Sequence, residues 1–231
     1  MQNATSGKPD LIQCFTPEEI ERRSFEIIEA ELAELVRSGK ISDALPFSGP
    51  VWEVARRLVH TSADYSLLPQ MHIPETAVNL GVAALRSGAH IFTDTEMVRV
   101  GMPLRRLTPL GASAICLHTR EGVGEYARQH GVTRSRAGME LAAPKLGGAV
   151  LAIGNAPTAL LAFLDLLDAG KTELPALIIA MPVGFVNAAE SKELLLQRPE
   201  LAERCIAIRG RRGGSPLAAA AVNALAEMAL R

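Results

Sequence analysis

The chain has 231 residues, of which 48% are hydrophobic and 4% aromatic, and its formal net charge is −1. This length suits one large α/β domain with a mainly aliphatic core better than two small domains. The near-neutral charge argues against binding to nucleic acid or to a membrane surface. No apolar run in the sequence reaches the roughly 18 residues that a membrane-spanning helix needs.

The spacing of the cysteines and the first residues of the chain indicate the cellular compartment of the protein. Cys14, Cys116 and Cys205 lie far apart, and three cysteines at such spacings indicate neither a disulfide framework nor a metal cluster. The first ten residues are polar and show no secretory signal. We therefore expect a cytoplasmic protein, with a flexible arm at residues 1–15 and a single domain at residues 16–231.

The start of the chain is predicted to be helical. Thr16-Pro17-Glu18-Glu19 is a capping box, and it begins a helix that Gly39 ends. Residues 51–59 form a second amphipathic helix, which ends at His60. A histidine at a helix C-terminus is favoured as a cation. Taken alone, His60 fits a structural cap better than a chemical role.

The middle of the chain mixes helices with two strands. Residues 93–96, Thr-Asp-Thr-Glu, follow the first strand and are predicted to cap the next helix. In chain order the predicted elements are a helix at 74–87, strands at 89–92 and 112–117, a helix at 121–130 and a helix that ends near Ala143.

Three strand–loop–helix units fill the last third of the chain. Their strands, at residues 149–153, 176–180 and 205–208, are uninterrupted apolar runs, as in a parallel sheet covered on both faces. Their helices, at 158–167, 188–196 and 217–230, have start signals in Pro157, in Asn187 and in the pair Ser215-Pro216. These units predict a three-layer α/β/α protein with a mostly parallel sheet of about five strands.

The loops of these units should share the carboxyl edge of the sheet, where ligands bind in open α/β proteins. Helix N-termini at that edge favour anions. The loops lack both the G-x-G-x-x-G fingerprint and the Gly-Lys-Ser/Thr end of a P-loop, which disfavours a nucleotide. We expect the crevice to be lined by Asn155, Thr158, Gly184 and Ser215.

The same loops resemble those of a known family. Residues 154–159 (Gly-Asn-Ala-Pro-Thr-Ala), 182–192 (Pro-Val-Gly-Phe-Val-Asn-Ala-Ala-Glu-Ser-Lys) and 210–215 (Gly-Arg-Arg-Gly-Gly-Ser) resemble the C-terminal half of the precorrin-8X methylmutase family of cobalamin biosynthesis. Residues 20–28, 57–61, 93–98 and 133–135 resemble motifs of its N-terminal half. The resemblance covers about residues 17 to 229.

The resemblance implies an isomerase that moves a methyl group from C-11 to C-12 of a corrinoid macrocycle. The substrate would be precorrin-8, giving hydrogenobyrinate, or the cobalt form, giving cobyrinate. Such a rearrangement needs a positioned substrate and control of protonation, but no hydride carrier, ATP or protein-bound metal. We therefore expect no cofactor. The residues after His60 look closer to the cobalt-handling branch, and Asp64 is a candidate to hold His60 in one tautomer.

The resemblance also assigns roles to single residues. His60 matches the proton donor and acceptor of the family, Ser24 and Arg57 match substrate-contact positions, and Arg134 and Ser135 are weaker matches. A homodimer is implied as well. The substrate carries carboxylates on its rim, and arginine matches carboxylates well. This chemistry adds Arg211 and Arg212 to the candidates.

Two other hypotheses stay open from the sequence. A non-catalytic corrinoid carrier would need the arginines and the loops, but it would have no need of a titrating His60. A generic nucleotide-binding α/β enzyme would show nucleotide affinity, although the glycine fingerprints for it are absent.

Overall fold

A computed structural model describes residues 15–42 and 47–231. The chain divides into two compact units, residues 1–43 and residues 44–231. Except for Phe15, the predicted arm lies outside the described residues, as does Cys14. The single domain over residues 16–231 stays a prediction.

The described part of the first unit is dominated by one helix, α1 (Pro17–Arg37). The capping box is confirmed: the Thr16 N–H donates to Glu19 Oε2 at 2.8 Å, and the Glu19 N–H donates to Thr16 Oγ1 at 3.3 Å. The helix ends before Gly39, whose φ of +72° suits the left-handed turn that follows a helix.

The second unit is built on a sheet of six strands. They are β1 (Met71–His72), β2 (His90–Thr93), β3 (Ser113–Cys116), β4 (Val150–Ile153), β5 (Leu177–Ala180) and β6 (Cys205–Ile208). The strand order is β1-β6-β5-β4-β2-β3; β2 to β6 run parallel, and β1 is antiparallel to β6. The prediction of about five strands missed β1, because two residues are too few to show a period.

Helices cover both sides of this sheet, which confirms the three-layer α/β/α prediction. In chain order they are α2 (Gly49–Ser62), α3 (Glu75–Arg86), α4 (Glu96–Val100), α5 (Leu104–Leu107), α6 (Val123–His130), α7 (Arg134–Ala142), α8 (Pro157–Asp168), α9 (Ala188–Leu196), α10 (Pro199–Ala202) and α11 (Ser215–Ala229). Among the described residues, no helix combines the length and apolar character needed to cross a membrane.

The last helix, α11, belongs to the core. It is buried along most of its length and packs against α2, α3 and β4. Most of its buried side chains are alanines, whose small size lets the neighbouring elements approach closely. On the other side α7 packs against α8, and α8 against α9. Strands β4, β5 and β6 are buried throughout, as their apolar runs predicted.

The strand order changes direction between β2 and β4. From β2 the chain continues to the neighbouring edge strand β3, whereas from β4 it continues the other way, to β5 and β6. A reversal of this kind leaves a crevice at the carboxyl ends of the two strands.

Candidate active site

The crevice between β2 and β4 is occupied by a carboxylate of the protein. Asp94 follows β2 directly and is fully buried. Its Oδ1 accepts from the Gly154 N–H at 3.0 Å, and its Oδ2 accepts from the N–H groups of Asn155 at 2.8 Å and Ala156 at 2.6 Å. Burial raises the pKa of Asp94, and the three amides act in the opposite direction. The backbone donors that could hold a phosphate here are therefore already used.

The segment predicted to cap the next helix does supply the N-cap of α4, but not a side-chain capping bond. The Asp94 side chain does not cap α4 but fixes the loop after β4, and the N-cap of α4, Thr95, makes no side-chain capping bond. The sequence could not show this, because 60 residues separate Asp94 from Gly154 and only the pairing of β2 with β4 brings them together.

The loop after β4 also touches the start of α11. A Cβ added to Gly154 would lie 2.7 Å from Ser215 Cα, so this position admits no side chain. The Oγ of buried Ser215 lies 3.3 Å from Thr95 Oγ1. Ser215 is the first helical residue rather than the predicted cap, since Gly214 occupies the N-cap position with φ +129°. Few residues other than glycine adopt that φ.

The starts of α7 and α8 are joined by a hydrogen bond. The Thr133 hydroxyl donates to Thr158 Oγ1 at 3.0 Å, and Thr133 also caps α7. Ser135 is buried, whereas Arg134 is exposed and lines a cavity of about 490 Å³ beside α6. A cation at a helix N-terminus is disfavoured by the helix dipole. No carboxylate among the described residues pairs with Arg134.

A second cavity, of about 420 Å³, lies between the end of α2 and the loops after β5 and β6. It contains the predicted residues Gly184 and Arg211. Its lining comprises Ser62, Asp64, Leu67, Val183, Gly184, Phe185, Arg211, Arg212, Gly213 and Leu217. His60 is half-buried in the last turn of α2, two residues before the lining residue Ser62. We call this cavity, with the end of α2, the edge cavity.

Two ion pairs position the end of α2. Arg57, one turn before His60, is buried and pairs with Glu227 of α11, which also pairs with Arg106. Beyond the helix, Asp64 pairs with Arg212 and accepts from the Ser66 N–H at 2.8 Å. Arg212, a candidate for the substrate carboxylates, thus fastens the loop after β6 to α2.

A buried lysine ties the two loops of the edge cavity together. Lys192 of α9 is fully buried, and its Nζ donates to the carbonyl oxygens of Pro182 at 3.1 Å and Arg212 at 2.7 Å. Burial lowers its pKa to about 8. Lys192 ends one of the motifs quoted above, but nothing in its sequence neighbourhood indicates that it would bridge two loops.

This burial predicts a pH-dependent stability. Lys192 loses its proton at about pH 8 in the folded protein, against an ordinary pKa of 10.5. Between these values the unfolded chain binds one more proton, so the free energy of unfolding rises with pH through this group. We therefore expect the stability of the wild type, relative to Lys192→Met, to rise from about pH 8 to pH 10.5. Urea unfolding across this range measures it.

The control for this experiment is Lys171→Met, because Lys171 is exposed. Its stability difference from the wild type should stay flat over the same range. A flat difference for Lys192→Met as well would show that the lysine is not desolvated in the folded protein.

The predicted residues Arg134, Ser135, Asn155, Thr158 and Ser215 are not lining residues of the edge cavity. Ser24 belongs to the first unit, where its hydroxyl donates to the Ile20 carbonyl at 2.7 Å. A larger cavity, of about 620 Å³, contains none of the predicted site residues and is lined by residues of α6 to α8 such as Tyr126 and Arg136. Among the described residues, no cluster of three or more His, Cys, Asp or Glu side chains could hold a metal ion. The edge cavity is the candidate site, because the predicted loop residues Gly184 and Arg211 lie there beside the end of α2.

Comparisons with known proteins agree on one family. The model of the family described as precorrin-8X methylmutase matches residues 19–228. A cobalt-precorrin-8 methylmutase of Priestia megaterium is 36% identical over 229 residues, covering 99% of this chain and 94% of the relative. A precorrin-8X methylmutase of Sinorhizobium is 41% identical over 211 residues, covering 91% of this chain and 94% of the relative.

A solved structure agrees as well. The precorrin-8X methylmutase of Thermus thermophilus superposes with a TM-score of 0.79 at 34% identity, covering 92% of this chain and 96% of that one. These matches favour catalysis over the carrier hypothesis. The chain therefore belongs to the precorrin-8X methylmutase family and is an isomerase that acts by intramolecular methyl transfer.

Proposed function

We propose that this enzyme moves a methyl group from C-11 to C-12 of a precorrin-8 macrocycle bound at the edge cavity, with His60 as the group that exchanges a proton with the ring. The observation that carries this proposal is the position of His60. It lies in the last turn of α2, which ends at a cavity shared with Gly184 and Arg211. A histidine in the last turn of a helix that ends at a ligand cavity is suited to proton transfer near neutral pH.

The reaction balances without an external reagent. In a [1,5]-sigmatropic shift the bond from the methyl carbon to C-11 breaks as the bond to C-12 forms, and the macrocycle is neither oxidised nor reduced overall. The enzyme has to hold the ring in a reactive geometry and control its protonation. His60 lies near the negative end of the α2 dipole, which favours its cationic form as a proton donor. The neutral imidazole then takes a proton back from the product.

The charges at the edge match a substrate with carboxylates on its rim. Neither Arg134 nor Arg211 pairs with a carboxylate of the described residues. The helices α9 and α11 also follow parallel strands, so their N-terminal N–H groups face the same edge. We assign substrate contacts at this edge to Arg134, Ser135, Asn155, Thr158, Gly184, Arg211 and Ser215.

Two further substrate contacts are proposed from the family resemblance. Arg57 and Ser24 are included because they match substrate-contact positions of the family. Arg57 lies one turn before His60 on the same helix and is supported by Glu227. The assignment of Ser24 as a substrate contact is supported by the sequence match.

We also propose a homodimer in the cytoplasm. Exposed apolar side chains at Met97 (64%), Val100 (65%) and Leu104 (73%) support a contact with a second copy. The unpaired thiols of Cys116 and Cys205 are consistent with a reducing compartment. Light scattering on the purified protein measures the oligomeric state.

The test of the function is a turnover assay of the wild type on precorrin-8 and on cobalt-precorrin-8. Absorbance follows the change in the chromophore, and a separate titration measures binding. We expect turnover of at least one form, and the ratio of the two kcat/KM values identifies the preferred metal state. Tight binding of both forms without turnover would contradict the proposal and favour the hypothesis of a non-catalytic corrinoid carrier.

A further inference from the structure

The loop after β5 exposes apolar side chains at the edge cavity. Phe185 is 83% exposed and Val186 is 77% exposed. By contrast, Phe92 and Phe163 are buried in the core. Gly184 has φ +139°, a conformation that few other residues adopt, and it directly precedes Phe185. Adjacent exposed apolar side chains at a cavity mark a contact surface.

The Phe185 ring is associated with one arginine. The guanidinium carbon of Arg211 lies 5.5 Å from the ring centroid, within the range of a cation–π contact. The two loops are also joined through the backbone, since the Gly184 N–H donates to the Arg211 carbonyl at 3.2 Å. Lys192 holds both loops at their bases. The ring and the guanidinium are therefore presented side by side on a supported platform.

Arg211 differs from the neighbouring arginines in its lack of an ion pair within the described residues. Arg209 pairs with Glu193 at 2.8 Å, and Arg212 pairs with Asp64. Arg211 is exposed, and no carboxylate among the described residues pairs with it. Of the three arginines in this loop, Arg211 is therefore the one whose charge is available to a ligand.

An apolar ring next to an available cation suits a ligand with an apolar conjugated face and carboxylates at its rim. The macrocycle of the proposed reaction has both features. We propose that Phe185 is a substrate-contacting residue whose ring packs against the face of the macrocycle while Arg211 binds a rim carboxylate. This inference rests on the proposed function and adds a residue to its site.

The test compares Phe185→Ala, Phe185→Tyr and a matched control, Leu194→Ala. Leu194 is exposed on α9, and its replacement also removes an exposed apolar side chain. The loss of one apolar contact of this size should raise both the KM for precorrin-8 and the Kd for hydrogenobyrinate about tenfold in Phe185→Ala. The kcat should change little, because such a contact is made equally in the ground state and the transition state. Phe185→Tyr keeps the ring and should bind like the wild type, as should Leu194→Ala.

The outcomes separate this inference from the function itself. If the wild type turns over the substrate and Phe185→Ala binds as tightly as the wild type, the contact is wrong and the function stands. If the wild type neither binds nor converts precorrin-8, the function fails and the contact with it. If Phe185→Ala binds weakly and light scattering shows that this variant has dissociated from a dimer into monomers, Phe185 contacts a second copy. The inference is then overturned.

Discussion

Replacing His60 with alanine is expected to lower kcat by about 10²- to 10⁴-fold, the usual contribution of a general acid–base group. The substitution removes the proposed proton donor and acceptor at the end of α2 but leaves the loops of the edge cavity unchanged. The Kd for hydrogenobyrinate should therefore stay within a few-fold of the wild type. Absorbance kinetics and a binding titration on the same preparations measure the two effects.

The matched control is His90→Ala. His90 begins β2, so it lies at the amino edge of the sheet, away from the cavity; it is exposed, and its Nδ1 lies 2.8 Å from Ser113 Oγ. We expect turnover close to that of the wild type. A His60→Ala enzyme that retains wild-type kcat would exclude proton exchange by His60, and catalysis would then rest on positioning the substrate.

Replacing Asp94 with alanine is expected to have the largest effect on stability. Its carboxylate accepts from three backbone N–H groups in a fully buried site. Alanine would leave these donors without an acceptor, and each unsatisfied buried group costs about 1–3 kcal/mol. Because the loop can relax and water can enter, we expect a total loss of about 3–5 kcal/mol, measured by urea unfolding.

Two further variants sharpen this result. Asp94→Asn keeps one accepting oxygen but turns a donating NH₂ group toward a backbone N–H, so it should be nearly as unstable as the alanine variant. Asp168→Ala is the control, because Asp168 pairs with Arg198 at 2.6 and 2.8 Å on the surface. An exposed pair of this kind contributes at most about 1 kcal/mol. Equal losses for Asp94→Ala and Asp168→Ala would show that the buried amides find other partners.

Local patterns were sufficient for the first helix cap and for the buried strands. The capping box at Thr16 and Glu19 lies within one helical turn, and its two hydrogen bonds are present. The apolar runs of β4, β5 and β6 predicted buried parallel strands because a strand covered on both faces needs apolar side chains at every position. The short strand β1 has no such pattern and exists through its pairing with β6.

The candidate site likewise has features that the sequence predicts and features that only tertiary contacts decide. The sequence of the chain determined its fold class, its family motifs and the candidate residues, because periodicity, turn chemistry and motif spacing all lie along the chain. Tertiary structure alone decided that Asp94 holds the loop after β4, that Asp64 pairs with Arg212, and that Lys192 joins two loops. Their contacts span 61, 148, 10 and 20 positions, and the pairs of Asp94 with Asn155, Asp64 with Arg212 and Lys192 with Arg212 join segments that follow different strands or helices. Burial then makes these polar contacts obligatory, since water is no longer available to replace them.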